Sequence, residues 1–166
     1  MTEGRHGLES AYVALGSNLD DPQQQIETAF ELLADLPDTR LIARSSLYRS
    51  APFGPVEQPE FVNAAVALQT SLGASALLEH LQAIETSQGR VRKQRWGPRT
   101  LDLDLLVYGA QVIDESRLSV PHPGIAERNF VLLPLREIAP ELVIPGLGLV
   151  ADIPVDENEP RITRID

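Results

Sequence analysis

Two hydrophobic periods alternate along the chain. Ala11-Tyr12-Val13-Ala14-Leu15 is an almost continuous apolar run closed by Gly16-Ser17-Asn18, which predicts a buried strand and a turn. Asp20 or Asp21 can cap the helix that follows, with Pro22 in its first turn, where a missing N–H costs little. Ile26, Phe30, Leu33 and Leu36 then recur at helical spacing until Pro37. Residues 41–49 predict a second strand. A third covers residues 61–68, with Phe61, Asn63, Ala65 and Ala67 on one face. Between these two strands, Ser50 to Pro59 holds three Pro and one Gly in ten residues, a loop of a length that compact domains usually keep for function. Ser75 opens a second helix whose apolar stripe is Leu77, Leu78, Leu81 and Ile84, with Gln82 and Glu85 three apart near its end. Residues 101–108 predict a fourth strand, with Gln111-Val112-Ile113 as its hairpin partner. Residues 130–138 predict a last helix in which Pro134 must occupy the first turn or impose a kink.

The first six elements spell βαββαβ. That order predicts an α+β fold with a ferredoxin-like core, helices packed on an antiparallel sheet, and a helical C-terminal extension. At 166 residues the chain is expected to be one domain, residues 1–166, with a loose leader at 1–9 and an irregular acidic tail at 151–166. A hydrophobic fraction of 43% beside 23% charged residues describes a globular chain. The absence of Cys excludes disulfides, thiol nucleophiles and thiolate metal sites. No apolar run approaches the roughly 20 residues of a membrane span. A cytoplasmic monomer without membrane partners is expected.

Charge concentrates attention on one stretch. The formal net charge is −10, which argues against a broad nucleic-acid surface, yet five of the 14 basic residues fall between Arg90 and Arg99. Four of those five are Arg, the residue suited to planar, bidentate contact with phosphate oxygens. A solvated basic loop would explain the charges alone. Directly after it stand Asp102 and Asp104, which on a strand face the same way about 6.5–7 Å apart, with Leu101, Leu103 and Leu105 turned to the other side. Carboxylate pairs of this kind are hard oxygen ligands suited to Mg²⁺, which shares its shell with waters and phosphates. A half-exposed strand with solvated acids is the simpler alternative for the Asp pair taken alone. Arg117, Ser119, His122 and Arg128 are further polar candidates, and Trp96 beside Gly97-Pro98 is either a core aromatic or a stacking platform.

The block Arg95-Trp96-Gly97-Pro98-Arg99-Thr100-Leu101-Asp102-Leu103-Asp104 closely resembles the signature of the 6-hydroxymethyl-7,8-dihydropterin pyrophosphokinases. The resemblance extends to Ala14-Leu15-Gly16-Ser17-Asn18-Leu19, Phe61-Val62-Asn63-Ala64-Ala65-Val66, Val120-Pro121-His122-Pro123 and Glu127-Arg128-Asn129-Phe130, in collinear order over roughly residues 10 to 145. It implies transfer of pyrophosphate from MgATP to the hydroxymethyl group of the reduced pterin, releasing AMP, in folate biosynthesis. By resemblance, Asp102 and Asp104 hold two Mg²⁺ ions, and Arg90 and Arg92 close over the phosphates. Gln82, Glu85, Arg92, Trp96, Arg99, Leu105, Arg117, Ser119, His122 and Arg128 fall at ATP-site positions. Ser50, Ala51, Pro52, Phe53, Phe61, Asn63, Trp96, Asp102 and Phe130 fall at pterin-site positions. Phe61 and Pro123 stand where relatives often carry Tyr, so the hydroxyls of those positions are missing. Two rival readings, a two-metal phosphohydrolase and a non-catalytic ferredoxin-like binding domain, use the Asp pair or the fold alone.

Overall fold

The computed structural model describes residues 7–19, 21–52, 58–88, 101–158 and 160–165. The first strand, β1 (Glu9–Ser17), begins inside the expected leader and runs through the centre of a six-stranded sheet. Helix α1 (Pro22–Ala34) follows. Its cap is Asp21, whose carboxylate accepts from the Gln24 N–H at 3.5 Å, and Ile26, Ala29, Phe30 and Leu33 form its buried stripe.

The stretch expected as one strand at 41–49 is two, β2 (Thr39–Arg44) and β3 (Leu47–Ser50), both antiparallel to β4 (Phe61–Thr70). Ser45 and Ser46 interrupt the track. The Ser45 N–H reaches Ala65 O at 2.9 Å and its hydroxyl accepts from the Ala65 N–H at 2.9 Å, so a side chain takes over one ladder bond while the strand bends. Helix α2 (Ala74–Ser87) starts one residue before Ser75, and its N-cap is Gly73, whose carbonyl accepts the Leu77 N–H. The fourth expected strand is β5 (Asp102–Tyr108).

Residues 111–113 do not return along β5. Instead β6 (Ile113–Asp114) pairs with β7 (Ser119–Val120) in a separate ribbon, because the Glu115–Leu118 turn closes on itself through two backbone bonds. A short 3₁₀ turn, Ile125–Glu127, leads into α3 (Asn129–Ile138). Pro134 lies mid-helix, beyond the first turn, and is buried. A ten-residue helix held by its packing tolerates the one bond that Pro134 cannot donate.

The C-terminal part is not wholly helical, and the tail is not irregular. After α3 come the hairpin β8 (Val143–Ile144) and β9 (Gly148–Leu149), the 3₁₀ turn Val150–Asp152 and β10 (Ile162–Ile165). Strand β10 joins the main sheet beside β3, giving the order β10–β3–β4–β1–β5, antiparallel throughout. Its alternation escapes composition-based reading because Ile162 is its one fully buried side chain.

The sheet is covered on both faces. Ala11, Val13 and Leu15 of β1, with Val62, Ala64, Val66 and Leu68 of β4, pack against α1 and α2. On the opposite face Ala14, Leu106 and Val107 pack beneath Val131, Leu132 and Leu135 of α3. Helix α3 covers only part of that second face. The remainder, near the C-terminal end of β1, carries the polar residues described next. No helix among the described residues is long and apolar enough to cross a membrane.

Candidate active site

Residues directly opposite one another in antiparallel strands share a face. One such row across the sheet is Tyr48–Asn63–Gly16–Asp102, and the neighbouring rows are Ser50–Phe61 and Ala65–Ala14–Asp104. Glycine and alanine therefore floor a trough with Asn63 on one bank and the two aspartates on the other. Strand spacing of about 4.8 Å puts Asn63 and Asp102 roughly 10 Å apart at Cα. The Asn63 side chain is 3% exposed and donates through Nδ2 to Ser50 Oγ at 2.8 Å. Its Oδ1 points across the trough, 3.5 Å from where a Cβ on Gly16 would stand, with the Phe61 ring 3.9 Å from the same point. Any side chain at position 16 would therefore occupy the space that Oδ1 faces. Asn18, at the β1–α1 turn, donates to Gln58 Oε1 (2.8 Å) and Pro59 O (3.0 Å) and so ties the trough's end to the segment leading into β4.

On the other bank, Asp102 and Asp104 are half-buried on β5. Strand β5 is an edge strand, and the buried Glu85 carboxylate from α2 accepts the Leu103 N–H at 2.7 Å. A helix side chain thus satisfies that main-chain donor and holds the segment carrying both aspartates. His122 stands over Asp104, with Nε2 3.9 Å from Oδ2, and its own backbone N–H donates to Leu106 O at 2.8 Å. The Gly124 N–H donates to His122 Nδ1 at 3.0 Å, which leaves the proton of the neutral ring on Nε2, directed at the aspartates. Burial pushes the imidazole pKa down, the Arg128 guanidinium pushes it further down, and Asp102 partly opposes them. The Arg128 side chain lies across Gly124, where a Cβ would come within 2.8 Å of its Nε.

The expected residues divide accordingly. Asp102, Asp104, His122, Arg128, Asn63, Phe61 and Ser50 gather at the trough, with Ala51 and Pro52 continuing from the end of β3. Phe130 is half-buried at the start of α3. Ser119 is on β7, and Arg117 is exposed in the turn before it. Gln82 is exposed on α2. Two side chains point elsewhere: Leu105 is 3% exposed within the core facing α2, and Glu85 is engaged with β5. The alternation that turns Asp102 and Asp104 to one face turns Leu105 to the other. Phe53, Arg90, Arg92, Trp96 and Arg99 lie outside the described residues. Sequence reasoning took Gly16 for a turn residue and passed over Gly124. The signal for Gly16 was its phase with Ala14 on β1, usable only once the register was known.

The family model for 7,8-dihydro-6-hydroxymethylpterin-pyrophosphokinase matches residues 12–140. The chain belongs to this pyrophosphokinase family. A curated relative from Pseudomonas aeruginosa, named 2-amino-4-hydroxy-6-hydroxymethyldihydropteridine pyrophosphokinase, is 54% identical over 138 residues, covering 83% of this chain and 85% of the relative. A relative of the same name from Haemophilus influenzae is 46% identical over 144 residues, covering 87% and 90%. Among solved structures, wild-type Plasmodium falciparum HPPK-DHPS superposes with a TM-score of 0.71 at 16% identity, over 92% of this chain and 45% of that one. The likeness shows that the α+β fold is shared; this chain spans less than half of the solved protein's length. All the site positions placed above fall within the matched span.

Proposed function

We propose that this pyrophosphokinase chain moves the terminal pyrophosphate of ATP to the hydroxymethyl oxygen of 6-hydroxymethyl-7,8-dihydropterin, leaving AMP, as a step of folate biosynthesis. The observation that best supports this is the glycine-floored trough with an amide acceptor on one bank and paired carboxylates on the other. A flat heterocycle lying on Gly16 would present its N–H edge to Asn63 Oδ1 and its substituent to Asp102 and Asp104. Phe61 and Phe130 supply apolar walls, and Ser50 orients the Asn63 amide.

The donor set fits magnesium. Among the described residues no group of three acids or imidazoles gathers to cage a metal, but Mg²⁺ is ordinarily bound through one or two carboxylates and completes its shell with phosphates and water. Two Mg²⁺ ions held by Asp102 and Asp104 would neutralise the triphosphate and lower the pKa of the attacking hydroxyl. The chain's own groups do the rest. His122 Nε2–H and Arg128 donate to phosphate oxygens beside the aspartates. Arg90, Arg92, Arg99 and Arg117 offset charge as the bond to AMP lengthens, and Trp96 closes over the nucleotide. Gln82, Ser119 and the β5 segment around Leu105 border the nucleotide, with Glu85 acting through Leu103.

The βαββαβ order, with β2 and β3 as one bent strand, supports a ferredoxin-like core within a single domain over 1–166. The net charge of −10 supports a monomer acting on small molecules, and the lack of Cys is in keeping with a cytoplasmic location. Incubation with MgATP and the reduced hydroxymethylpterin tests the reading: AMP and the pterin diphosphate appear together in equal amounts. ADP or inorganic phosphate as sole product would refute it. A phosphohydrolase reading leaves Asn63 and its Ser50 bond without a task.

A further inference from the structure

Asn129 immediately precedes Phe130 on α3, and its side chain is 4% exposed. Both hydrogens of its amide are used: Nδ2 donates to Asp156 O at 2.6 Å and to Pro160 O at 2.7 Å. Two turns along the same helix, Arg136 Nη2 donates to Ile153 O at 2.5 Å and Val150 O at 3.4 Å. The next residue, Glu137, accepts the Tyr48 hydroxyl at 2.7 Å and stands 3.8 Å from Arg164. One helix thus grips the C-terminal segment at its near end, its middle and its far end. The segment then pairs as β10 with β3, setting Ile162 opposite Ser50, and the Ala51 N–H donates to Arg161 O at 3.0 Å. It is attached on one side beside Phe130 and on the other to Ser50 and Ala51. The family match ends at residue 140, so this connection is made by chain beyond the matched span.

We propose that residues 150–158 and 160–165 form a strap that fixes the spacing between the two walls of the pterin half-site, with Asn129 as the positioning residue that fastens it. The inference rests on the placement of the pterin between Asn63 and Phe130. Its physical basis is that β3 ends at Ser50, where the chain leaves the sheet. Without β10 the main-chain groups of residues 47–51 on that edge would bond to water and move independently of α3. With it, Ser50, which orients Asn63, and Phe130 belong to one hydrogen-bonded unit. The pterin, not the nucleotide, should sense the strap, because Asp102, Asp104 and His122 lie on the opposite bank.

Steady-state AMP release by the Asn129→Asp variant, with Asn63→Ala as control, tests this. Aspartate keeps the shape but removes both donors and sets a carboxylate against two carbonyls. The expected result is a pterin KM raised about tenfold, a loss of about 1.4 kcal/mol, with the ATP KM within about twofold of wild type. An unchanged pterin KM, or equal rises for both substrates, overturns the strap. If Asn63→Ala leaves the pterin KM unchanged, the pterin placement itself fails, and the strap with it. Hydrogen exchange on the wild-type chain gives a second readout that no folding defect can confuse. Adding Mg²⁺, a non-hydrolysable ATP analogue and 6-hydroxymethylpterin should slow exchange of the 161–165 amides by about fivefold relative to Mg²⁺ and analogue alone. Equal exchange in the two samples overturns the proposal.

Discussion

At the scale of single residues, two carboxylates at opposite ends of the sheet have opposite assignments. Asp104 is 33% exposed at its side chain and lies outside the apolar core, so Asp104→Ala should leave the melting temperature within a few degrees. AMP release should nevertheless fall at least a hundredfold, about what losing one preorganised charge contact costs in other enzymes. Glu137 is the reverse case. Burial raises its pKa, but the Tyr48 hydroxyl, the Ser46 N–H and hydroxyl and Arg164 outweigh burial and hold the carboxyl below its ordinary value. A carboxyl whose pKa is depressed by folding contributes stability above its unfolded value, near 4.3, and loses that contribution as pH falls through the folded value. Glu137→Gln should therefore cost about 1–2 kcal/mol at pH 7. In urea unfolding series the gap to wild type should narrow below about pH 4. A gap independent of pH would contradict this account.

At the scale of elements, the strand carrying the aspartates depends on a helix. The Glu85 carboxylate satisfies the Leu103 N–H on an edge strand, and its loss leaves a main-chain donor unpaired in a dry place. Glu85→Ala should lower stability by about 2–3 kcal/mol, and Glu85→Gln, which keeps an acceptor oxygen, by less than half as much. Denaturant unfolding measures both, and equal losses would refute the hydrogen-bond explanation. The sequence showed these elements unevenly. Strand β1 and strand β5 were readable as compact apolar runs bounded by turn residues, and helix α1 because its apolar positions keep the helical period. The break at Ser45-Ser46 was not, because nothing in Ala43-Arg44-Ser45-Ser46-Leu47 signals that a serine hydroxyl will replace a ladder bond. Asp102 and Asp104 could be placed on one face by parity alone. That Gly16 lies between them and Asn63 required the pairing of strands far apart in sequence, which no local pattern encodes. Strand β10 was hidden for the same reason, since its neighbour β3 lies more than a hundred residues earlier.

At the scale of the whole molecule, the sheet separates stability from chemistry. The face beneath α1 and α2 is a continuous apolar layer in which Leu77, Leu81 and Leu15 are almost fully buried. Leu81→Ala should cost about 2–5 kcal/mol in thermal or chemical unfolding with little change in substrate KM at temperatures where the protein stays folded. The opposite face gives up part of its cover to leave the trough open. Strand β10 also has a consequence for how copies of this chain meet. A bare outer strand offers N–H and C=O groups at regular intervals to any other strand, including its counterpart on a second copy. In this fold β10 occupies that position along β3, and its outward side chains Thr163 and Arg164 are exposed and polar. A chain cut after residue 158 would leave the outer edge of β3, including Leu47 and Tyr48, without its partner strand. Such a chain should self-associate with rising concentration in light scattering, whereas the intact chain should scatter independently of concentration. Strand β10 would then serve as a guard against polymerisation.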